Sequence, residues 1–145
     1  MEKAERKLST DEIFKRIDEG KPISKEEIDF VEPKQLREEL SRDIIKAGYS
    51  INAMASECYI TQSQLNDFLN GKKQMSRDKL LSVFITIGYS VTEVQSLLRR
   101  FGYGELYTRN QRDYIILMGI RDRAELDKIN EKLEGEFLDL LCQKK

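Results

Sequence analysis

The sequence predicts an all-α protein, and three observations carry that prediction. Apolar residues recur at spacings of three and four along successive segments, the signature of one buried helix face. Serine, threonine or aspartate stands ahead of most of these runs, where helix caps are favoured, and glycine stands behind several of them. The one run that is apolar on all sides, Tyr114–Met118, has no neighbouring segment suited to pair with it as a strand. The expected organisation is an N-terminal helical hairpin over 1–33, a five-helix domain over 34–102 and a helical extension over 103–145.

Residues 1–9 are polar and expected to fray. Thr10 or Asp11 is placed to cap a helix carrying Ile13, Phe14 and Ile17, stopped by Gly20 and Pro22. Ser24 with Glu27 reads as a capping box for a second short helix bearing Ile28, Phe30 and Val31. The resulting hairpin needs a surface for its apolar residues, and docking on the main domain is favoured over a separate partner-binding arm. Pro33 suits the first turn of the next helix, whose Leu36, Leu40, Ile44 and Ile45 form an expected buried stripe up to Gly48. Glu38, Glu39, Arg42, Asp43 and Lys46 cover the rest, a pattern usual for a solvated face.

Residues 50–71, SINAMASECYITQSQLNDFLNG, organise the chain. Ser50 caps a short helix directing Ile51, Met54, Ala55 and Cys58 inward, and Thr61 caps a second with Leu65, Phe68 and Leu69 on one side. The other side carries Gln62, Ser63, Gln64, Asn66 and Asn70 before Gly71 ends the helix. Solvated helix faces are mostly Lys and Glu, whereas bare amides near a helix start are the groups that bond base edges in a major groove. Two short helices joined by a tight turn form a helix-turn-helix.

Further on, Ser76 is placed to cap a helix with Leu80, Leu81, Phe84, Ile85 and Ile87 inward until Gly88. Thr92 with Gln95 reads as the capping box of a fifth helix with Val94, Leu97, Leu98 and Phe101 inside. The words IKAGYSI (45–51) and ITIGYSV (85–91) repeat one solution: a helix end, a glycine cap and a serine opening the next helix. After the aromatic connection FGYGELY, residues 110–119 are read as a buried helix. Asp122 with Glu125 opens a last helix whose apolar stripe runs through Leu126, Ile129, Leu133, Phe137, Leu138, Leu140 and Leu141. That stripe is expected to pack on the 110s helix, with a homodimer through helix 122–141 as the alternative.

From Ser50 through Ala55, Ile60, Thr61, Leu65, Phe68, Gly71 and Ser76, without gaps, the chain resembles the DNA-binding domain of the XRE (lambda-repressor and Cro-like) family. The resemblance covers roughly residues 36–89 and extends to small bacterial XRE-type proteins with extra C-terminal helices. It implies a lambda-repressor-like five-helix domain in which the helix opening at Thr61 enters the major groove of double-stranded DNA. Carried over position by position, Gln62, Ser63 and Asn66 face bases, and Thr61 and Gln64 support backbone contacts. The resemblance also places the loop after Gly71 beside the DNA backbone, making Lys72, Lys73 and Arg77 candidates for phosphate contacts. Two positions depart from the pattern. Tyr59 stands where the family has a glycine with positive φ, at a cost on the order of 1–2 kcal/mol, so a rebuilt turn is expected. Asp67 brings a carboxylate to the face that would meet phosphates.

Composition bounds the function. The formal net charge is −1 with 35% charged residues, so no overall basic field marks a nucleic-acid binder. Counted by segment, 1–33 has 7 basic and 10 acidic residues, 34–90 has 8 and 6, and 91–145 has 10 and 10, so only the middle segment is positive. There is no histidine, Cys58 and Cys142 form no metal or redox spacing, and no phosphate-cradling glycine loop or nucleophile motif occurs, which argues against an enzyme and implies no catalytic residue, metal or cofactor. No apolar run reaches a membrane span and no hydrophobic signal region opens the chain, so a cytoplasmic protein is expected. The expected function is sequence-specific transcriptional regulation. The alternative is a helix-turn-helix-derived module for a protein partner: an adaptor, an antitoxin-like protein or a phage inhibitor.

Overall fold

The computed structural model describes residues 7–28 and 33–144. Among them the chain forms eight α-helices and no strand: α1 (Thr10–Asp18), α2 (Pro33–Lys46), α3 (Ile51–Glu57), α4 (Gln62–Leu69), α5 (Arg77–Ile87), α6 (Val91–Arg100), α7 (Gln111–Arg121) and α8 (Leu126–Gly135). Two compact units divide the chain, Met1–Glu32 and Pro33–Lys145. Residues 103–145 therefore belong to the same unit as the five helices before them.

In the first unit, the cap of α1 is Ser9 rather than Thr10 or Asp11. Ser9 has extended backbone (φ −71°, ψ 163°), its side chain accepts from the Glu12 N–H, and the Glu12 carboxylate reaches back to complete a capping box. Ser24 makes no side-chain cap bond, and Lys25–Glu27 forms one 3-10 turn rather than an α-helix. Phe30 and Val31, assigned to that helix from sequence, lie outside the described residues. Leu8 donates its N–H to the Glu27 carbonyl at 2.8 Å and Arg16 pairs with Glu27, so residues 7–9 are held instead of frayed.

The second unit is built around α5. Its residues Leu80 to Ile85 are all buried, which requires neighbours on every side, and α3, α6 and α8 supply them. The buried Ser82 hydroxyl donates to the Asp78 carbonyl at 2.9 Å, so this polar side chain enters the core with its bond made. Phe84 meets Tyr89 edge-on at 5.5 Å and Phe101 at 6.4 Å, and Phe101 meets Phe68 at 5.5 Å. That chain of rings joins α4, α5 and the end of α6, each pair adding about 0.5–1.5 kcal/mol beyond burial. On α2, Leu36, Leu40 and Ile44 are buried as expected, but Ile45 is 59% exposed because it falls a further 100° round the helix from Ile44.

The repeated GYS words behave alike: Gly48 and Gly88 take positive φ (94° and 92°), and Ser50 and Ser90 cap the helices that follow. The box of α6 is thus Ser90 with Glu93, not Thr92 with Gln95. Gln95 instead clamps the extension, donating to the Leu106 carbonyl and accepting from the Leu106 N–H, both at 2.8 Å.

Residues 111–119 are helical, as expected, within α7, and Asn110 is its cap, accepting from the Asp113 N–H at 2.9 Å. Gly119 is buried against α8, where an added β-carbon would lie 2.5 Å from Ile129 Cγ1, so this glycine sets the spacing of the two helices. Two Arg-Asp dipeptides pair reciprocally across the α5 and α7 starts: Arg77 with Asp113 at 2.8 Å and Arg112 with Asp78 at 2.9 Å. Asp113 is buried and also accepts from the Tyr107 N–H at 2.9 Å. Arg112 further holds the C-terminal segment through the Asp139 carbonyl at 2.8 Å.

The last helix is shorter than its apolar stripe suggested. It starts at Leu126 with no side-chain cap from Glu125, and it ends at Gly135, after which Phe137 takes φ 58° and stands 98% exposed. Leu141 is nonetheless buried, its N–H bonded to the Asn130 side chain at 2.8 Å. Leu126, Ile129, Leu133 and Leu141 all join the core of their own chain, so these four residues of the stripe considered for a homodimer are occupied internally, Leu138 and Leu140 partly so, while Phe137 is not. No helix among the described residues is long and apolar enough to cross a membrane.

Asp113→Ala leaves Arg77 without its carboxylate and the Tyr107 N–H without an acceptor. Because Arg77 is partly exposed, the loss should be about 2–3 kcal/mol, below the ~3–5 of a fully buried pair. Urea unfolding measures it, and Asp113→Asn, which keeps an acceptor, should lose less. A second expectation concerns alkaline pH. Burial pushes the Cys58 thiol from 9.0 to about 12, opposed by the Thr86 hydroxyl. Burial, then the hydrogen bond to Asp43, raises the Tyr89 phenol. Groups raised in the folded state hold protons that the unfolded chain releases, so their contribution is complete below pH ~9 and fades above it. Unfolding free energy should fall above that pH, and Tyr89→Phe, with one such group fewer, should fall less steeply.

Candidate nucleic-acid interface

The helix-turn-helix is formed by α3, the turn at residues 58–61 and α4. Ser50 caps α3 by accepting from the Ala53 N–H at 3.0 Å, and Met54, Ala55 and Cys58 are buried while Ile51 is partly so. The helix ends in a Schellman arrangement: Tyr59 N–H to Ser56 carbonyl at 3.2 Å and Ile60 N–H to Ala55 carbonyl at 3.1 Å. Tyr59 has φ 56°, so the turn is not rebuilt, and a bulky residue holds the left-handed conformation that the resemblance assigned to glycine. Its hydroxyl donates to Asp127 at 3.1 and 3.2 Å, tying the turn to the start of α8 beside a cleft of about 380 Å³. This bond acts against the strain of the left-handed residue.

Two residues later Thr61 returns to extended backbone and caps α4, accepting from the Gln64 N–H at 3.0 Å, while the Gln64 side-chain oxygen accepts from the Thr61 N–H at 3.1 Å. Gln64 thus serves the cap. Leu65 and Phe68 are buried beneath α4. Thr61, Gln62 and Ser63 are exposed and Asn66 is half-buried, and no described residue hydrogen-bonds the side chain of Gln62, Ser63 or Asn66. The structure brings these positions together on one outer edge.

The basic candidates separate. Lys72 and Lys73 are exposed, their N–H groups turned back to the Asp67 carbonyl at 2.8 and 3.3 Å. Arg77 is instead bound to Asp113 and to the carbonyls of Gly104 and Glu105, so its charge is compensated inside the fold. Asp67 sits half-buried on the flank of α4. Reading the sequence missed Arg37 of α2, whose guanidinium lies against Gly71 at the start of the basic loop. Its i, i+3 partner Lys34 was the available signal, masked by the alternating charges of the helix. Among the described residues, no group of three or more acidic or cysteine side chains is placed to hold a metal ion.

Position 59 gives a direct test of the turn. Tyr59→Ala keeps the left-handed strain and Tyr59→Gly removes it, so the glycine variant should be the more stable by about 1–2 kcal/mol in urea unfolding. An alanine variant at least as stable would mean that the turn relaxes to another conformation. Compared with protein-family models, with curated proteins and with solved structures, the chain matches none.

Proposed function

We propose that the protein is a sequence-specific DNA-binding regulator with a lambda-repressor-like arrangement of α2–α6, acting in the cytoplasm and inserting α4 in the major groove. The observation that carries this reading is the outer edge of α4: exposed or half-exposed Gln62, Ser63 and Asn66 without partners among the described residues, on a helix fixed from beneath by Leu65 and Phe68. An amide so placed is able to bond adenine N6 and N7 together. Thr61 and Gln64, engaged in the cap, present the first turn and its N–H groups to the backbone. Lys72 and Lys73 are the phosphate contacts of this reading; Arg77 is taken up by Asp113 and the Gly104 and Glu105 carbonyls.

A protein-interaction module is the second reading. Asp67 on the flank of α4 favours it, as do the exposed Tyr107, Tyr114 and Phe137 of the extension, since aromatic side chains are enriched where proteins meet.

Selection of a site from random duplexes, followed by anisotropy titration, separates the two. Gln62→Ala should lose about 1–3 kcal/mol on the selected site and little on random duplex, whereas Lys72→Ala should weaken both. Equal losses from Gln62→Ala on both duplexes would remove its base-reading role, and failure to select any site would favour the second reading.

A further inference from the structure

We propose that the face of α2 toward α4 is a second phosphate-binding surface, in which Lys34, Arg37 and Arg42 hold the DNA backbone flanking the groove that α4 enters. The inference rests on the DNA-binding reading above and extends it to a helix outside the helix-turn-helix.

Lys34, Arg37 and Ser41 follow one another at i, i+3 and i+7, so they share a face of α2, with Arg42 beside them. With Leu69 and Asn70 at the end of α4 they line a groove of about 500 Å³, and Glu38 is the one carboxylate among its lining residues. Asn70 lies one turn beyond Asn66 and two beyond Gln62, so the groove continues the amide edge of α4. Arg37 joins this groove to the basic loop. Gly71 has φ +76°, and a β-carbon there would lie 2.6 Å from Arg37 Nη2, so the guanidinium rests directly against the backbone where the loop begins. Arg37 and Lys73 then line a common depression of about 130 Å³.

Three cations, Lys34, Arg37 and Arg42, line this groove against the single carboxylate of Glu38. Arg77, Arg99, Arg100, Arg112 and Arg121 each face a carboxylate, whereas Lys34, Arg37, Arg42, Lys72 and Lys73 make no ion pair among the described residues. Of the nearby acids, Glu39 faces Arg100 at 3.7 Å and Asp43 accepts from the Tyr89 hydroxyl, which leaves Glu38 as the carboxylate that faces the groove. Cations gathered within a screening length repel one another, and a polyanion laid along the groove relieves that repulsion while releasing its own counterions.

The test is the salt dependence of binding to a random-sequence duplex. Lys34→Gln/Arg42→Gln changes two exposed side chains and leaves the packing intact; it should lower the slope of log K against log salt by about 2, one for each phosphate no longer neutralised, and adding Arg37→Gln should lower it by about 1 more. Lys46→Gln, at the end of α2 and outside the groove, should change the slope little. An unaltered slope in the Lys34/Arg42 variant, with a reduced slope in Lys72→Gln/Lys73→Gln, would overturn the α2 surface and leave the DNA-binding reading standing. A per-charge loss from Lys46→Gln equal to that of the groove residues would overturn it as a net-charge effect. Wild-type protein with no salt-dependent duplex binding would overturn both.

Discussion

A tyrosine held at positive φ is the constraint on which the presentation of α4 depends. At Tyr59 the chain leaves α3, and the left-handed residue turns it so that Ile60 returns to the core while Thr61 emerges as the cap of the next helix. Residues with a β-carbon avoid this conformation, at a cost of about 1–2 kcal/mol. Three features hold it in place: the two bonds of the Schellman turn, the hydroxyl bond to Asp127, and the burial of Ala55 and Ile60 on either side. The first residues of α4 are therefore displayed by a turn that is locally unfavourable and supported from α8, far away in sequence.

That support makes the C-terminal extension part of the platform. The reciprocal Arg-Asp pairs lock the starts of α5 and α7 together, Gln95 holds Leu106, and Asn130 holds Leu141. Each bond satisfies a polar group as α7 packs on α6 and α8 and α8 packs on α5, the condition under which buried polar networks stabilise a fold instead of weakening it. A helix on such a base holds its outer side chains in fixed positions, as a site built on helices does more accurately than one on loops. The arrangement also accounts for the fate of Arg77: at the edge of the basic loop its charge goes to Asp113, and the positive surface shifts toward α2.

Much of this was legible in the sequence where the information is local. Caps such as Ser50, Thr61 and Ser76, glycine stops at 48, 71 and 88, and the inward residues of α3, α4 and α5 all follow from spacing within a single turn. Reading failed where two local signals competed or where a distant partner decided. Ser9 and Ser90 displaced the caps assigned to their neighbours because each holds extended backbone at the point where its helix begins. The stripe from Leu126 to Leu141 reads as one long helix, yet Phe137 breaks it, and Leu141 reaches the core on an irregular segment anchored by Asn130. The candidate site divides in the same way. The amide edge of α4 is a property of one helix, whereas the loss of Arg77 to Asp113 and the approach of Arg37 to Gly71 join residues more than thirty positions apart.

Whether the outer edge of α4 enters a duplex is decided by following backbone amide resonances of the isotope-labelled protein as a duplex is added at low salt. The largest shifts should fall at Gln62, Ser63 and Asn66, with smaller ones at Lys72 and Lys73 that fade as salt is raised. Shifts confined to the surroundings of Tyr107, Tyr114 and Phe137, or none at all, would contradict insertion of α4.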